Sequence, residues 1–445
     1  MPASVYQGLL REPWLGFSRW LTCHALGRRL LRPRGATPYE PGPDRVLYVA
    51  ASTLPYHTSG YTTRTHEIVS AMRAAGAWLR VLTRPGYPWD RRDRLLDAKA
   101  EETLVDGVHY RHARQPSNDR PVLFYALQAA RVVAKEATRE RVGLIHAASN
   151  HVNALPALLA ARGLGLPFQY EMRGLWELTR ISRQPAYEGS QAFRQGLQLE
   201  ALVARHADRV CVISEQLGRY VHSQWGVPQE RLALLPNCID PLRFKVADAA
   251  DVEPRSIGYA GSLIGYEGLD TLIEAVARLK DQGIGVRVHI VGEGEARGGL
   301  EALVSRLGVA EYVRFLGRQP PAVARELIRR CALVCLPRKP FRVCEIVTPI
   351  KLVEALAMGK PVIVPDLPVF RDELGPDPAG WFFQAGNAGD LARVVETAFS
   401  NAATLAEKGA RARDYAVSER NWERFVATVL APTGAGPAAG RCGHG

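Results

Sequence analysis

The stretch VTPIKLVEALAMGKPVIV, residues 347–364, is the most informative part of the sequence for the fold. Residues 350–358 have the apolar spacing of a helix that packs on a sheet, and Gly359 follows as a stop signal. The β-branched run 361–365 comes directly afterwards and predicts a buried strand. A helix that leads at once into a buried strand is part of a βαβ unit, which indicates a parallel sheet covered by helices.

Working outward, the same alternation of short β-branched runs and longer helical patterns occurs twice. The first set of predicted strands covers 45–50, 78–83, 144–148, 167–171, 209–214 and 232–236. The second set covers 256–261, 286–292, 313–317, 333–337 and 361–365. Residues 240–255 lie between the sets, lack periodicity and place the lobe boundary there. The predicted fold class is α/β, with two Rossmann-like, doubly wound parallel-sheet lobes that face each other across a cleft.

Five parts are predicted along the chain. They are a basic amphipathic N-terminal segment (1–37), an N-terminal Rossmann-like lobe (38–245), a C-terminal Rossmann-like lobe (246–405), a C-terminal helix (406–430) and a disordered tail (431–445). The first segment interleaves Trp14, Phe17 and Trp20 with arginines, which is typical of a helix lying in a membrane interface. A helix packed on the first lobe, or a chain start set too early, is the alternative interpretation.

Composition narrows the class of protein. The 57 Lys and Arg exceed the 45 Asp and Glu by 12 among 445 residues, which favours phosphates, nucleic acid or anionic lipid as partners. Nucleic acid is disfavoured because the basic residues are scattered rather than striped with aromatics. No run of about 18 apolar residues predicts a membrane-spanning helix. Seven cysteines without a CxxC pair predict reduced thiols, hence a cytoplasmic protein, and no metal site. Peripheral contact with the cytoplasmic face of the inner membrane is expected only through residues 1–37.

A cation cluster is predicted around the start of the 350–358 helix. Thr348 is expected as its N-cap and Pro349 as its first residue, which places Lys351 at the third helical position. The helix dipole disfavours a cation there by roughly a few tenths of a kcal/mol, which indicates an anionic ligand. Arg338 and Lys339 end the preceding strand and would add contacts to a diphosphate.

Glu354 lies one turn after Lys351 on the same helix face. Its carboxylate is suited to accept hydrogen bonds from the two hydroxyls of a ribose. The alternative is that Lys351 and Glu354 form a solvated surface pair. No D-x-D triplet occurs, so helix dipole, Lys and Arg are expected to neutralise a diphosphate without a metal ion.

Glycines mark two further loops of the second lobe. Gly261, Gly265 and Gly268 follow a strand and precede a helix, so backbone N–H groups can approach a phosphate. The stretch 291–299, VGEGEARGG, misses the G-x-G-x-x-G spacing, which disfavours a nicotinamide site and leaves a base-binding turn open.

In the first lobe, Gly60 opens a helix and allows a sugar or phosphate close to the backbone. The stretch EMRGLWE, 171–177, is expected to present Arg173, Trp176 and Glu177 together as a sugar-binding surface, with an Arg–Glu pair and packed Trp as the alternative. His146 and His151 flank the end of the third predicted strand and are either functional or structural.

The ordered motifs are similar to those of glycosyltransferase family 4, the retaining nucleotide-sugar transferases of GT-B fold. The resemblance covers nearly all of residues 44–425 and is closest to bacterial enzymes of exopolysaccharide or lipid-linked glycan assembly. Its carriers are SGYTTRTHEI, YEMRGLWE, ADRVCVISEQL, LLPNCIDPLRF, IGYAGSLIGYEGLDTLIEA, VHIVGEGEARGGLEALVSRLGV, VRFLG and TPIKLVEALAMGKPVIV.

The resemblance implies sugar transfer from a nucleoside diphosphate donor, with uridine as the expected base, to a hydroxyl of a polysaccharide or lipid-linked glycan, and no cofactor beyond the nucleotide-sugar substrate. Glu354 matches the family's second glutamate, bonded to the donor ribose. Candidate catalytic residues are Glu354, Lys351, Arg338 and Arg173. Candidate donor-binding residues are Gly261, Ser262, Glu293, Gly294, Arg338, Thr348, Ile350, Lys351 and Glu354. Candidate acceptor-binding residues are Gly60, His146, His151, Arg173, Trp176 and Glu177.

The chain departs from the family pattern in several places. The family's first glutamate is replaced by Ile346, with Glu345 one residue away, and Ser262 and Glu267 stand where many relatives carry Arg and Lys. Cys238 replaces a glycine, and Ala148 a histidine. Two alternatives therefore stay open, a nonhydrolysing sugar-nucleotide epimerase and a catalytically inactive GT-B scaffold subunit.

Overall fold

The computed structural model describes residues 3–30, 39–91, 99–376 and 378–431. The chain divides into two compact units. The first comprises Met1–Ile213, Leu217–Leu235 and Phe425–Gly445, and the second comprises Ser214–Gln216 and Pro236–Arg424.

The first unit is built on one sheet. Up to residue 235 the described strands are β1 (Arg45–Ala50), β2 (Trp78–Thr83), β3 (Glu102–Val105), β4 (Val108–Arg111), β5 (Leu144–Ala148), β6 (Phe168–Met172), β7 (Arg209–Val212) and β8 (Leu232–Leu234). The helices are α1 (Ala3–Leu30), α2 (Gly60–Ala74), α3 (Val122–Arg139), α4 (His151–Leu164), α5 (Trp176–Ile181), α6 (Gln191–His206) and α7 (Glu215–Trp225). The strand order is β3-β4-β2-β1-β5-β6-β7-β8, and the strands pair in parallel except β3 with β4.

A second, fully parallel sheet forms the second unit, with strand order β11-β10-β9-β12-β13-β14. Its strands are β9 (Glu253–Ala260), β10 (Arg287–Val291), β11 (Val313–Phe315), β12 (Cys331–Cys335), β13 (Val362–Pro365) and β14 (Gly380–Phe383). The helices are α8 (Leu269–Asp281), α9 (Arg297–Arg306), α10 (Pro321–Arg329), α11 (Arg342–Ile346), α12 (Ile350–Ala357), α13 (Pro368–Leu374), α14 (Ala388–Ser400) and α15 (Ala402–Glu419). The last helix, α16 (Trp422–Leu430), begins in the second unit and belongs to the first unit from Phe425 onward. The predicted α/β class with two parallel-sheet lobes is confirmed.

Buried strands explain why periodicity found the sheets. Strands β6, β7 and β12 are buried at every position, because helices cover both faces of a parallel sheet. The sequence missed the antiparallel pair β3 and β4 and the edge strand β14. Asp106 and Gly107 join β3 to β4, and this Asp-Gly pair between two short runs is a hairpin signal.

The N-terminal helix α1 packs against α3 and α6 of the first unit. Ser18, Thr22, Leu26 and Leu30 are buried at four-residue spacing, which defines the packed face. The aromatic residues Trp14, Phe17 and Trp20 are exposed. Helix α1 thus has one packed face and one aromatic face open to solvent, and no helix of the described chain combines the length and apolarity needed to span a bilayer.

The prediction of one helix over 406–430 is wrong. Helix α15 ends at Glu419 and α16 begins at Trp422. The Asn421 side chain accepts a hydrogen bond from the Arg424 N–H at 3.1 Å and caps the second helix. The Arg420 carbonyl accepts a bond from the Ile239 N–H at 2.8 Å, which holds the break. Of the expected tail, 432–445 lies outside the described residues, as do 31–38 of the N-terminal segment.

Candidate functional site

A buried ion cluster lies at the carboxyl ends of the neighbouring strands β9 and β12. Glu267 ends a short 3₁₀ turn after β9, Arg338 follows β12, and Lys351 is in the first turn of α12. Arg338 Nη2 is 3.1 Å from Glu267 Oε1, and Lys351 Nζ is 2.8 Å from Glu267 Oε2. The three side chains are only 8%, 14% and 4% exposed for Arg338, Lys351 and Glu267, so water screens the pairs weakly.

Further hydrogen bonds fix both cations. Lys351 Nζ donates to the Tyr259 hydroxyl at 2.9 Å and lies 4.7 Å from the centre of that ring. The Tyr259 hydroxyl donates in turn to the Ser262 carbonyl at 3.0 Å. Arg338 Nη1 donates to the Val347 carbonyl at 3.0 Å, which ties the β12 loop to the segment before α12. Protein groups therefore fix the positions of both cations.

Charge coupling sets the ionisation of the cluster. Burial by itself would raise the pKa of Glu267, but Arg338 and Lys351 lower it to about 2. Burial lowers the pKa of Lys351, and Glu267 acts in the opposite direction. Glu267 is ionised at neutral pH, so with both cations charged the cluster carries one net positive charge.

The start of α12 differs from the prediction. Pro349 is the N-cap, so Lys351 is the second helical residue rather than the third, and Thr348 does not cap the helix. Helix α11 ends at Ile346 and Val347 is its C-cap. Thr348 therefore lies one residue before the position that caps α12. Thr348 Oγ1 is buried and has no hydrogen-bond partner within the described chain, while its carbonyl accepts a bond from Asn237 Nδ2 at 2.8 Å.

Glu354 and Lys351 of the same helix line one pocket. The pocket is lined by Ala260, Pro321, Ala324, Arg325, Ile328, Val334, Leu336, Lys351, Glu354, Ala355 and Met358. No described residue hydrogen-bonds to the Glu354 carboxylate. Burial raises the pKa of Glu354, and Arg325, Lys351 and Arg243 oppose that shift. The pocket therefore combines an available carboxylate with two cations, of which the sequence analysis missed Arg325 because α10 carries no motif.

Two of the loop glycines lie where a side chain would clash with a neighbouring group. A Cβ on Gly268, which has φ of +73°, would lie 1.9 Å from the Pro337 carbonyl oxygen. A Cβ on Gly261 would lie 2.8 Å from Lys351 Nζ. The first glycine lets the β9 and β12 loops touch, and the second leaves room for the ammonium group.

The other candidate donor residues differ in exposure and in the groups they contact. Ser262 is exposed, Ile350 is half-buried, and Glu293 forms an ion pair with Arg297. A Cβ on Gly294 would lie 2.2 Å from the Leu263 carbonyl oxygen. At the position of the missing first glutamate, Ile346 is buried and Glu345 pairs with Arg342 at 2.9 Å.

In the first unit, a buried charge network centres on Glu171, at the end of β6. Arg64 Nε and Arg173 Nε each lie 2.9 Å from Glu171 Oε1. Burial would raise the pKa of Glu171, but Arg173 and Arg64 hold it well below its usual value. His146 is completely buried, and its Nε2 lies 3.2 Å from Glu171 Oε2. Arg173 and His146 are thus engaged in the interior. Sequence analysis missed Arg64 because an arginine on an amphipathic helix is normally expected on the solvent side, whereas Arg64 is buried on α2.

The expected surface of Arg173, Trp176 and Glu177 does not form. Arg173 turns inward because the buried Glu171 carboxylate needs a counter-ion. Trp176 is 68% exposed, whereas Glu177 is buried against Gly196 of α6. Burial and the nearby Glu200 carboxylate raise the pKa of Glu177 to about 7.

The remaining two acceptor candidates differ in exposure. His151 Nδ1 lies 2.9 Å from Glu200 Oε1, and the His151 side chain is largely buried. Gly60 is exposed at the first position of α2, directly after the Ser59 N-cap. Gly60 and Trp176 are therefore the candidates of this group open to a large ligand.

Two family models of glycosyl transferases match the chain, one in each half. Residues 59–238 match the family described as glycosyl transferase 4-like domain, and residues 243–416 match glycosyl transferases group 1. EpsF of Bacillus subtilis, named as a glycosyltransferase, is 30% identical over 39% of this chain and 46% of its own length. WcaL of Escherichia coli, named for glycosyl transfer in colanic acid biosynthesis, is 28% identical over 46% of this chain and 52% of its own length. The chain thus spans about half the length of these curated relatives.

Solved structures agree on the fold. HepE of Anabaena in complex with UDP has a TM-score of 0.67 and 18% identity, with coverage of 87% of this chain and 99% of HepE. HepE has also been solved with UDP-glucose. The chain belongs to glycosyltransferase family 4, has the GT-B fold and is similar to a glycosyltransferase named for colanic acid biosynthesis.

Proposed function

We propose that this glycosyltransferase moves a hexosyl group from a uridine diphosphate donor to a hydroxyl of a polysaccharide or lipid-linked glycan, with retention at the anomeric carbon. The observation that carries the donor assignment is the available Glu354 carboxylate in one pocket with Lys351, which shares the Glu267 carboxylate with the buried Arg338. A carboxylate suits the two hydroxyls of a ribose, and the cations suit a diphosphate. The UDP complexes of HepE support the same donor class.

In this proposal the residues act mainly by positioning and charge stabilisation. Glu354 orients the ribose, and Lys351 with Arg338 stabilises the negative charge that develops on the departing diphosphate. The transition state has oxocarbenium character at the sugar, as in other glycosyl transfers. The leaving phosphate oxygen accepts the proton of the attacking acceptor hydroxyl, so no side chain serves as general base.

Metal independence is part of the proposal. Lys351 and Arg338 supply the positive charge that a divalent cation would otherwise bring to the diphosphate. We expect turnover to be unchanged in excess EDTA. A requirement for added Mg²⁺ or Mn²⁺ would refute this part and leave the donor assignment standing.

The acceptor is assigned to the first unit. Trp176, exposed at the start of α5 and three residues after Arg173, offers a flat apolar face for a sugar ring, and Gly60 offers open backbone. Arg173 and His146 hold the strand ends of this surface through Glu171. His151 holds the start of α4 through its ion pair with Glu200, and Glu177 holds α5 through its contact with Gly196 of α6.

Contact with an anionic lipid surface is proposed for helix α1. Trp14, Phe17 and Trp20 are 56%, 51% and 48% exposed and lie in a row, with ring centres 6.1 and 6.0 Å apart. Arg28 is exposed further along the helix. Exposed tryptophans and basic residues on a helix whose other face is packed are suited to the headgroup region of a bilayer.

Vesicle sedimentation tests the lipid contact. The variant with Trp14→Ser, Phe17→Ser and Trp20→Ser should bind vesicles containing phosphatidylglycerol at least tenfold more weakly than the wild type. The control is Phe124→Ser on α3, an equally exposed aromatic residue at 54%, which should bind normally. Equal binding of the triple variant and the wild type would refute the lipid contact.

A donor screen tests the transferase assignment. Nucleotide release is measured with UDP-, GDP- and ADP-sugars and lipid-linked acceptor extracts, and the product anomer is identified by NMR. Acceptor-dependent UDP release with a retained anomer is expected. An epimerase would alter the donor sugar with no acceptor present, and an inactive scaffold would bind nucleotide without hydrolysis or transfer.

A further inference from the structure

Glu267 engages donor groups of both cations proposed for the diphosphate. Arg338 uses Nε and Nη2 on the two carboxylate oxygens, at 3.3 and 3.1 Å. Lys351 Nζ lies 2.8 Å from the same carboxylate. A two-pronged guanidinium contact with an ammonium alongside is also how proteins hold a phosphoryl group. The Glu267 carboxylate therefore sits among these cations in the manner of a bound anion.

The cations keep some capacity for a second anion. Lys351 has three N–H donors, and its described partners are Glu267 and Tyr259. Arg338 has five N–H donors, of which the described chain engages three, from Nε and Nη2 to Glu267 and from Nη1 to the Val347 carbonyl. Lys351 also lines the pocket that contains Glu354, so a diphosphate bound there would share this ammonium with Glu267.

If Glu267 and a bound diphosphate share the Lys351 ammonium, the two anions lie close together and repel each other. A diphosphate at Lys351 lies close to the Glu267 carboxylate, and like charges in a buried site repel strongly. The repulsion is absent for the neutral nucleoside and grows with the charge of the ligand. The repulsion therefore lowers the affinity for a nucleoside diphosphate and leaves the affinity for the uncharged nucleoside unchanged.

We propose that the Glu267 carboxylate is a built-in counter-anion. It pairs with Arg338 and Lys351 between turnovers and lowers the affinity of the site for the nucleoside diphosphate, so that this product dissociates. The inference rests on the proposed function, because it assumes that the diphosphate binds at these cations. It assigns Glu267 a tuning role in donor and product affinity. The side chain takes no part in bond making or breaking.

Calorimetric titration of the full chain tests the inference. Uridine, UMP and UDP are titrated into the wild type and Glu267→Gln, which keeps the side-chain shape and removes the charge. UDP should bind the variant at least tenfold more tightly, UMP should gain less, and uridine should be unchanged. Glu407→Gln is the control, because Glu407 is exposed on α15, where it pairs with Arg411 of the same helix, and the change should alter none of the three affinities.

The outcomes separate this inference from the proposed function. If the wild type binds UDP and Glu267→Gln binds it equally or more weakly, the counter-anion role is refuted and the donor site stands. If the wild type binds none of the three ligands, both proposals fail. Should Glu267→Gln not fold, Glu267→Asp withdraws the charge by one methylene, and a tighter UDP complex supports the role while an unchanged one refutes it.

Discussion

Replacing Glu354 by Gln separates binding from folding more cleanly than other changes at this site. The carboxylate receives no hydrogen bond from the described chain, and burial raises its pKa more than Arg325, Lys351 and Arg243 lower it, so the charged form is disfavoured on balance. Gln has nearly the same volume and leaves no cavity. We therefore expect the melting temperature of Glu354→Gln to equal or slightly exceed that of the wild type.

Donor use should nevertheless fall sharply. A hydrogen bond to a charged group contributes about 1.5–3 kcal/mol, against about 0.5–1.5 kcal/mol for a neutral pair. With two ribose hydroxyls, the loss of charge costs about 2–3 kcal/mol of donor binding. This corresponds to roughly a 30- to 150-fold lower kcat/KM for the nucleotide sugar.

Coupled nucleotide-release kinetics at varied donor concentration measure this effect. The matched control is Glu345→Gln, because Glu345 lies nine residues earlier and pairs with the exposed Arg342. A surface pair contributes about 0–1 kcal/mol, so the control should behave like the wild type. Unchanged kinetics of Glu354→Gln with any nucleotide sugar, or a loss of activity that merely follows a lower melting temperature, would refute the reasoning.

Three further predictions concern stability. Arg64→Met should lower the free energy of unfolding by about 3–5 kcal/mol in urea titration, because it leaves the buried Glu171 short of one counter-charge; a loss below 1 kcal/mol would contradict the role of the network. Gly268→Ala should lower the melting temperature and shift the β9 loop, since the new Cβ would meet the Pro337 carbonyl at 1.9 Å, whereas Gly265→Ala, with open space around it, should be tolerated. The pKa of Glu177 lies at about 7 in the folded protein against an ordinary 4.5, so its contribution to stability is fully present below pH 4.5 and is lost as the pH rises through about 7. Glu177→Gln should therefore gain stability relative to the wild type from pH 5 to pH 8, measured by thermal denaturation, and a constant difference would refute the assignment.

Periodicity was sufficient for most of the sheet architecture. Strands buried on both faces appear as continuous β-branched runs, and each of the eleven runs singled out lies on a strand of the structure. The short strands β3, β4 and β14 were missed because they contain four residues each, too few for a periodic signal. The break between α15 and α16 was missed because the Asn421 cap interrupts an otherwise helical pattern without Gly or Pro.

Along the helix, spacing alone placed Lys351 and Glu354 on one face, since residues three apart on a helix are neighbours. Which partner each charge takes was decided by tertiary structure. Glu267 is 71 residues from Arg338, and they meet only because β9 and β12 are adjacent in the sheet.

The same limit applies to the first unit. The sequence singled out Arg173 and Glu177 as one group because they are four residues apart, but their side chains are held by Glu171 and by the α6 surface. By itself the sequence determined the two sheets and their helices, because local periodicity encodes which face is buried. The pairing of buried charges was decided only by the fold, because a buried ion pair depends on which strand ends become neighbours and on which carboxylates are removed from water.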